Sequence, residues 1–176
     1  MILRDAHHQD KALIDRIYND AFPRGEGESV SKIALDLLDE KTSPVTISLV
    51  AEVNNVVVAH VAFSPVQIEQ FSDCSAYILT PLAVQPQYQN RHIGSALIEH
   101  GTNILAKRDI NYVFVYGDPK YYNRFGFSEE IAKTFIVPYT LQYPFGWLGR
   151  ILNPYNTVLK PTGVRFVSTL SDSSIW

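Results

Sequence analysis

Apolar residues recur every three to four positions in three stretches of the chain, which is the spacing of an amphipathic helix. These stretches cover residues 13–22, 33–38 and about 93–107. The first two are separated by the Pro- and Gly-containing segment 23–27, a candidate for a mobile rim. The pattern therefore predicts three helices.

Short apolar runs and runs rich in β-branched residues predict strands. They lie at residues 1–4, 47–53, 56–66, 76–84 and 112–116. Between the second and third runs, Asn54 and Asn55 tolerate the positive φ of a tight turn. These two runs should therefore form an antiparallel hairpin.

The predicted helix at 93–107 lies between the strands at 76–84 and 112–116. This strand, helix, strand order implies a parallel crossover. Pro81 indicates an edge, a bulge or a splayed pair in the first of these strands, because proline cannot donate to a ladder. A strand that leaves its neighbour opens a slot.

The end of the chain carries weaker signals. Residues 121–127 predict a short helical cap that ends at Gly126, and strand-like pieces lie at 134–137 and 163–167. The Pro-rich stretch 138–155 contains aromatic side chains that either line a binding pocket or pack in a core or dimer interface. These are Tyr139, Tyr143, Phe145, Trp147 and Tyr155.

Length and composition narrow the class of protein. A chain of 176 residues suits one domain, and a net charge of −3 with a pI of about 5.9 argues against a broad nucleic-acid-binding surface. The sequence contains no run of about 18 uncharged apolar residues, so it indicates neither a membrane span nor a signal peptide. We therefore expect a cytoplasmic protein. The single cysteine, Cys74, excludes an internal disulfide and a cysteine zinc site, and inert packing is its more common role.

One turn is a candidate anion site. The apolar run ends at Pro86, and the small residues Gly94, Ser95 and Ala96 open the predicted helix. Backbone amides at a helix start attract anions, and small residues let a phosphate approach them. The alternative is that these small residues serve only to pack the helix on the sheet. The segment 117–119 ends its strand at the same predicted sheet edge, so two loops should converge on one cleft.

Two motifs resemble the GNAT superfamily of acetyl-CoA-dependent N-acetyltransferases. They read L-A-V-x-P-x-Y-Q-x-x-x-I-G-S-A-L at 82–97 and Y-x-R-F-G-F at 122–127, and the resemblance covers roughly residues 1–127. It implies an α/β fold of mixed type, with a mostly antiparallel central sheet that is splayed at the fourth and fifth strands and flanked by helices. It also implies one acyltransferase domain over 1–176, in which 128–176 is a divergent acceptor-side or interface segment.

The resemblance implies that acetyl-CoA binds along one strand end and the turn after it. The pantetheine arm would pair with the backbone of Leu82, Ala83 and Val84, and the pyrophosphate would meet the turn. The turn residues are Gln89, Asn90, Arg91, His92, Ile93, Gly94, Ser95 and Ala96. His92 stands where the family pattern has its first glycine. Its Cβ makes a positive φ costly, although its ring could donate to phosphate; the alternative is an exposed turn residue.

Tyr122 occupies the position where the family often places a tyrosine facing the CoA sulfur, so the resemblance implies that it is the general acid. Packing against the sheet is the alternative, and Tyr121 is the second candidate. The strand at 75–84 lacks the carboxylate that many members use as a base. The remaining base candidates, each with a structural role as its alternative, are Asp118, Glu26, Glu28 and His60.

The implied reaction is direct transfer of acetyl to a primary amine of a small molecule or peptide, in a ternary complex and without a metal. Neither nucleic acid nor membrane is an expected partner, and monomer and homodimer remain open. The departures at His92 and at the strand carboxylate keep a second hypothesis open, a CoA-binding sensor or protein-interaction module without chemistry. A third hypothesis is transfer of a different acyl group.

Overall fold

The computed structural model describes residues 1–155 and 160–176. These residues form two compact units. The first contains Met1–Phe63 and Thr80–Gly101, and the second contains Ser64–Leu79 and Thr102–Trp176. Two strands and one helix contribute residues to both. They are β3 (Val56–Ile68), β4 (Ser75–Val84) and α3 (Ile93–Lys107).

In the first unit, β1 (Ile2–Asp5) pairs antiparallel with β2 (Ile47–Val53), and β2 pairs antiparallel with β3. Asn54 and Asn55 connect β2 to β3 with φ values of 50° and 64°. The left-handed conformation of both residues is the one that a tight two-residue hairpin turn requires. The predicted hairpin is therefore confirmed.

Helices α1 (Lys11–Ala21) and α2 (Glu26–Asp39) pack their apolar stripes into the core of the first unit. The fully buried members of this cluster include Ile14, Ile17 and Tyr18 of α1, which meet buried residues of the strands. At Gly27 an added Cβ would lie 2.9 Å from the Asn19 Cα, so the two helices approach closely there. The stripe predicted from periodicity is what holds α1 and α2 in place.

The second helix begins earlier than the apolar pattern predicted. α2 starts at Glu26 and not near Ile33, because its first two turns carry few apolar residues and are stabilised in another way. Glu26 and Glu28 lie in the first turn, where acidic side chains interact favourably with the helix dipole. The segment predicted as a rim at 23–27 therefore lies partly inside a helix.

In the second unit, the start of β4 pairs parallel with β5 (Tyr112–Tyr116), and β5 pairs antiparallel with β7 (Trp147–Ile151). The end of β3 pairs antiparallel with β8 (Thr162–Phe166), and β8 pairs parallel with the short β6 (Phe135–Ile136). The mixed sheet with flanking helices confirms the predicted fold class.

The parallel register of β4 and β5 runs from Ala76 opposite Tyr112 to Leu79 opposite Val115. β4 itself continues to Val84, and Pro81 lies just beyond the last residue of that register. Because proline has no amide hydrogen to donate, the sequence predicted that strand pairing is irregular at Pro81. The strand end that follows it carries the proposed cofactor residues.

The sequence patterns assigned no strand within 138–155, whereas β7 lies there. The strand alternates poorly, since Trp147, Leu148 and Gly149 are all buried. An added Cβ at Gly149 would lie 3.0 Å from Ile131 and 3.3 Å from Phe114, so a larger residue at this closely packed position would require its neighbours to move by a few tenths of an ångström. Ile131 belongs to α5 (Glu129–Ala132), a second short helix after α4 (Pro119–Tyr122). Within the described residues, no helix is both long and apolar enough to cross a membrane.

Candidate active site

The end of β4 alternates between buried and half-buried residues. Ala83 is in the core of the first unit, whereas Leu82 and Val84 are half-buried. The Gln89 side chain donates to the Val84 carbonyl oxygen at 3.0 Å. A carbonyl oxygen has two lone pairs, so this bond leaves Val84 able to accept from a second donor such as an amide of a pantetheine arm.

The turn after β4 is built from backbone conformations that L-residues rarely adopt. A 3₁₀ turn at Pro86–Tyr88 is followed by Asn90 with a φ of 59° and His92 with a φ of 60°. His92 thus adopts the left-handed conformation that glycine would favour, as its place in the family pattern suggests. For a residue with a Cβ this conformation costs on the order of 1 kcal/mol.

Exposed side chains surround this turn. Gln89, Asn90, Arg91 and His92 are all exposed, and the Arg91 guanidinium carbon lies 5.3 Å from the centre of the Tyr88 ring. An arginine at this distance is attracted to the ring face, which holds its charge beside the turn. The turn therefore presents one positive side chain together with polar groups.

Helix α3 starts directly after the turn. The Ala96 amide donates to the His92 carbonyl oxygen at 3.0 Å, and this is the first bond of the helical pattern. The amides of Ile93 and Gly94 precede it and lie at the positive end of a helix of 15 residues. Ile93 and Gly94 are buried, while Ser95 and Ala96 are half-buried. A helix end of this kind suits a phosphate.

Tyr122 lies in the second unit at the end of α4. Its ring is pressed against Gly117, where an added Cβ would lie 2.5 Å from the Tyr122 Cε2 atom. The Tyr121 and Phe127 rings meet it edge to face, with centres 5.0 Å and 5.9 Å away. Gly126, with a φ of 81°, ends the following 3₁₀ turn as the sequence predicted. These contacts therefore hold the Tyr122 ring in one position.

Burial raises the pKa of the Tyr122 phenol well above its ordinary value, with a smaller contribution from Tyr121. Desolvation disfavours the phenolate, so the hydroxyl keeps its proton at neutral pH. A neutral phenol can donate a hydrogen bond and a proton. The packing and acid interpretations of Tyr122 are therefore compatible, because packing fixes the ring and the hydroxyl remains a donor.

The base candidates have structural positions. The Asp118 carboxylate accepts from the Lys120 amide at 2.9 Å and thereby caps α4, while Glu26 and Glu28 are exposed in the first turn of α2. His60, unlike these three carboxylates, is fully buried in the core. None of these observations singles out a base.

The His60 ring lies between two hydroxyl groups. Its Nδ1 is 2.8 Å from the Tyr18 hydroxyl, and its Nε2 is 2.7 Å from the Ser48 hydroxyl. Burial lowers the pKa of His60 to about 3, so the ring stays neutral. With both nitrogens bonded inside the core, His60 fits a structural role better than that of a base.

Cys74 is buried, and desolvation raises the pKa of its thiol to about 11. The thiolate is the nucleophilic form of cysteine, so this environment suits packing better than catalysis. Sequence reasoning placed Gly117 at the strand end but missed its contact with Tyr122. A glycine after a strand carries no signal of which side chain will cover it.

The eleven proposed cofactor residues lie in the first unit and Tyr122 in the second. A family model described as an acetyltransferase (GNAT) domain matches residues 44–129, which include all twelve. The curated Escherichia coli protein YjhQ, an uncharacterized N-acetyltransferase, is 33% identical over 97 residues. These residues are 54% of this chain and 54% of that protein, so the chain aligns with about half of its relative's length.

Solved structures share the fold over nearly the whole chain. The GNAT family N-acetyltransferase YhbS of Escherichia coli, in complex with CoA, has a TM-score of 0.82 at 22% identity, over 97% of this chain and 92% of that one. A GNAT family acetyltransferase from Brucella melitensis, in complex with acetyl-CoA, has a TM-score of 0.72 at 27% identity and covers 97% of both chains.

The mixed sheet with flanking helices is thus the fold of a class of acetyltransferases. Residues 44–129 match the GNAT acetyltransferase domain, which confirms the resemblance that the two sequence motifs indicated.

Proposed function

We propose that the protein transfers the acetyl group of acetyl-CoA to a primary amine of a small molecule or peptide. The observation that carries this proposal is the turn at 89–92, whose left-handed residues lead into the buried start of α3. Such a turn offers amides to a pyrophosphate, and a structural neighbour was solved with acetyl-CoA bound.

In the proposed binding mode, the cofactor uses backbone groups more than side chains. Leu82, Ala83 and Val84 offer their backbone to the pantetheine arm in the manner of an added strand. The diphosphate meets the segment from Gln89 to Ala96, and Arg91 adds a charged contact. No metal is needed, because backbone amides and one arginine supply the positive charge.

The proposed chemistry is a direct attack. The neutral amine nitrogen attacks the thioester carbonyl carbon, so a C–N bond forms while the C–S bond breaks. The departing CoA thiolate takes a proton from the Tyr122 hydroxyl, the nitrogen gives up its own proton to solvent or to a base, and the phenolate regains a proton from solvent. Holding both reactants in one complex contributes to the rate by removing the entropy cost of their meeting.

A sensor or interaction module that binds CoA without chemistry is the second candidate. Two observations favour it: His92 stands in place of a glycine, and β4 carries no carboxylate. Transfer of a different acyl group is the third candidate. The predicted cytoplasmic location and the choice between monomer and homodimer stay predictions.

Calorimetry with CoA and acetyl-CoA, followed by thiol release over amino acids, polyamines, aminoglycosides and peptides, tests these alternatives. We expect both cofactors to bind and one class of amine to release thiol. Binding without thiol release on any amine would favour the sensor, and faster release from a different acyl-CoA would favour the third hypothesis. Absence of binding at millimolar cofactor would contradict all three.

A matched pair of variants locates the diphosphate in the same experiment. Arg91→Ala should weaken CoA binding by about 3-fold, the loss expected for one exposed charge contact. Arg108→Ala removes another exposed arginine, just beyond the other end of α3, and should leave the affinity unchanged. Equal losses would indicate only a general effect of charge.

A further inference from the structure

Trp176 lies within an aromatic cluster of the second unit. The cluster rings, with their centre-to-centre distances from the indole, are Phe166 at 4.5 Å, Tyr139 at 5.6 Å, Tyr116 at 6.0 Å and Trp147 at 6.5 Å. The indole nitrogen donates to the Leu170 carbonyl oxygen at 3.0 Å, and the residue is half-buried. The indole is therefore held in one orientation by stacking and by a hydrogen bond.

Two of these rings belong to the last pair of the β5–β7 ladder, in which Tyr116 lies opposite Trp147. The residues next to this pair are joined as well, since the Gly117 amide donates to the Gly146 carbonyl oxygen at 2.9 Å. The Tyr143 amide donates to the Tyr116 hydroxyl at 2.8 Å. The turn at 143–146 is thus fastened to the end of β5 at two points.

The backbones approach each other closely at this point. An added Cβ at Gly146 would lie 3.1 Å from the Gly117 carbonyl oxygen and 3.2 Å from the Tyr116 ring. On another side, Gly117 packs against the Tyr122 ring, because an added Cβ at Gly117 would lie 2.5 Å from the Tyr122 Cε2 atom. Gly117 therefore contacts both the turn and the proposed acid.

We infer that Trp176 is a positioning residue for Tyr122, and this inference rests on the proposed function, in which Tyr122 donates the proton. The indole fixes Tyr116 and Trp147, and these fix the strand end that carries Gly117. The backbone of Gly117 packs against one side of the Tyr122 ring. A misplacement of about 1 Å at a reacting group can cost on the order of 100-fold in rate.

Thiol release at saturating acetyl-CoA tests this inference with Trp176→Ala in two backgrounds, the native protein and Tyr122→Phe. In the native background we expect kcat to fall by about 5-fold, a fraction of the loss that a full misplacement causes. In the Tyr122→Phe background the same change should cost less than about 2-fold, because no hydroxyl remains to be misplaced. The KM for acetyl-CoA should stay nearly constant in both.

Tyr155→Ala is the matched control. It also removes a half-buried aromatic residue of the second unit, whose ring lies 6.4 Å from that of Phe71 and whose hydroxyl donates to Asp73 at 2.6 Å. These contacts do not involve the cluster around Trp176, so kcat should stay close to the native value. A loss equal to that of Trp176→Ala would show that general loosening explains both.

Equal losses of kcat in the two backgrounds, or no loss in a folded Trp176→Ala variant, would overturn the inference. If Trp176→Ala does not fold, Trp176→Leu and Gly117→Ala provide the same comparison of backgrounds, and Gly117→Ala displaces the Tyr122 ring directly. A native kcat in Tyr122→Phe alone would instead remove the acid from the proposed function. The two failures are therefore distinguishable.

Discussion

Each unit of the protein presses an aromatic ring onto a glycine, but the two contacts hold different things. In the first unit an added Cβ at Gly101 would lie 2.1 Å from the Phe63 Cε2 atom, and in the second the corresponding distance from Gly117 to Tyr122 is 2.5 Å. Phe63 is fully buried and has no polar atom, whereas Tyr122 is half-buried and carries a hydroxyl. The same type of packing contact thus fixes a helix in one unit and the proposed acid in the other.

The polar groups of the two units differ in a related way. Burial lowers the pKa of His60 and raises that of Tyr122, because desolvation disfavours the imidazolium in one case and the phenolate in the other. Both groups are kept neutral by one cause. The first unit therefore gains sensitivity to acid, while the second retains a proton donor over a wide pH range.

The largest effect should follow from Gly101→Ala, which tests how firmly α3 is held in the first unit. The added methyl would overlap the Phe63 ring, and overpacking typically costs about 1–3 kcal/mol, partly offset by the higher helix propensity of alanine. We expect the free energy of unfolding in urea to fall by about 2 kcal/mol. Weaker CoA binding should accompany this loss, since the helix start is the proposed diphosphate site.

Two further variants interpret that result. Asn103→Ala changes an exposed residue two positions along the same helix and should leave stability within about 0.5 kcal/mol. Phe63→Leu should recover part of the loss when combined with Gly101→Ala, because it removes the atoms that the methyl meets. A fully stable Gly101→Ala protein would show that the ring can turn aside and that this contact does not set the helix position.

The Gly101 contact also illustrates what sequence reasoning could and could not provide. β2, α3 and β5 were predicted with the bounds that the structure shows, because each is a continuous pattern of one period. β7 was missed because buried Gly149 interrupts any alternation. Periodicity describes one element at a time, so it cannot show that Phe63 will cover a glycine far along the chain.

The same limit applies to the candidate site. The turn into α3 is local in sequence, so its motif identified His92 as a residue at a glycine position, and its φ is positive. The surroundings of His60 are not local, since Tyr18 and Ser48 come from a helix and a different strand. A histidine on an apolar strand reads equally well as a base or as a buried polar residue until its partners are known.

The second largest effect concerns pH and the first unit. His60 has a pKa of about 3 in the folded protein, against an ordinary value near 6.5 when unfolded. Below pH 6.5 the unfolded chain therefore binds a proton that the folded protein does not, so stability is lost as the pH falls from 6.5 towards 3. Between pH 7 and pH 5 we expect the free energy of unfolding to fall by about 2 kcal/mol.

His60→Gln should flatten the dependence of the free energy of unfolding on pH. His100→Gln changes a half-buried histidine of α3 and should leave that dependence unchanged. Asp10 does not interfere in this window. The Arg4 hydrogen bond lowers the pKa of Asp10 below its ordinary 3.8, so its contribution is lost only at lower pH. An unchanged slope in His60→Gln would mean that His60 becomes protonated without unfolding the first unit.

The third effect belongs to the second unit and removes the hydroxyl while it keeps the ring on Gly117. Tyr122→Phe should lower kcat by about 10-fold or more, the low end of the range for loss of a general acid, with little change in acetyl-CoA affinity. Tyr121→Phe is the matched control, because its ring touches that of Tyr122. A loss in Tyr121→Phe and none in Tyr122→Phe would transfer the role of acid to Tyr121.

The smallest effect should come from His92, at the turn where the first unit departs from its family pattern. In His92→Gly the relief of about 1 kcal/mol in the folded state is nearly cancelled by the greater freedom of glycine in the unfolded chain. Stability should therefore change by less than about 0.5 kcal/mol. The informative measurement is CoA affinity, which should rise by about 2-fold if the Cβ narrows the approach to the amides.

His92→Ala separates that explanation from its alternative, because it keeps the Cβ but removes the imidazole. If the Cβ is the obstacle, only His92→Gly binds CoA more tightly, and His92→Ala stays close to the native affinity. If the ring donates to the phosphate, both variants bind more weakly. That second outcome would show that His92 strengthens CoA binding. The imidazole would then supply a hydrogen bond to the phosphate, which offsets the strain of a left-handed residue with a Cβ at a position where the family pattern has glycine.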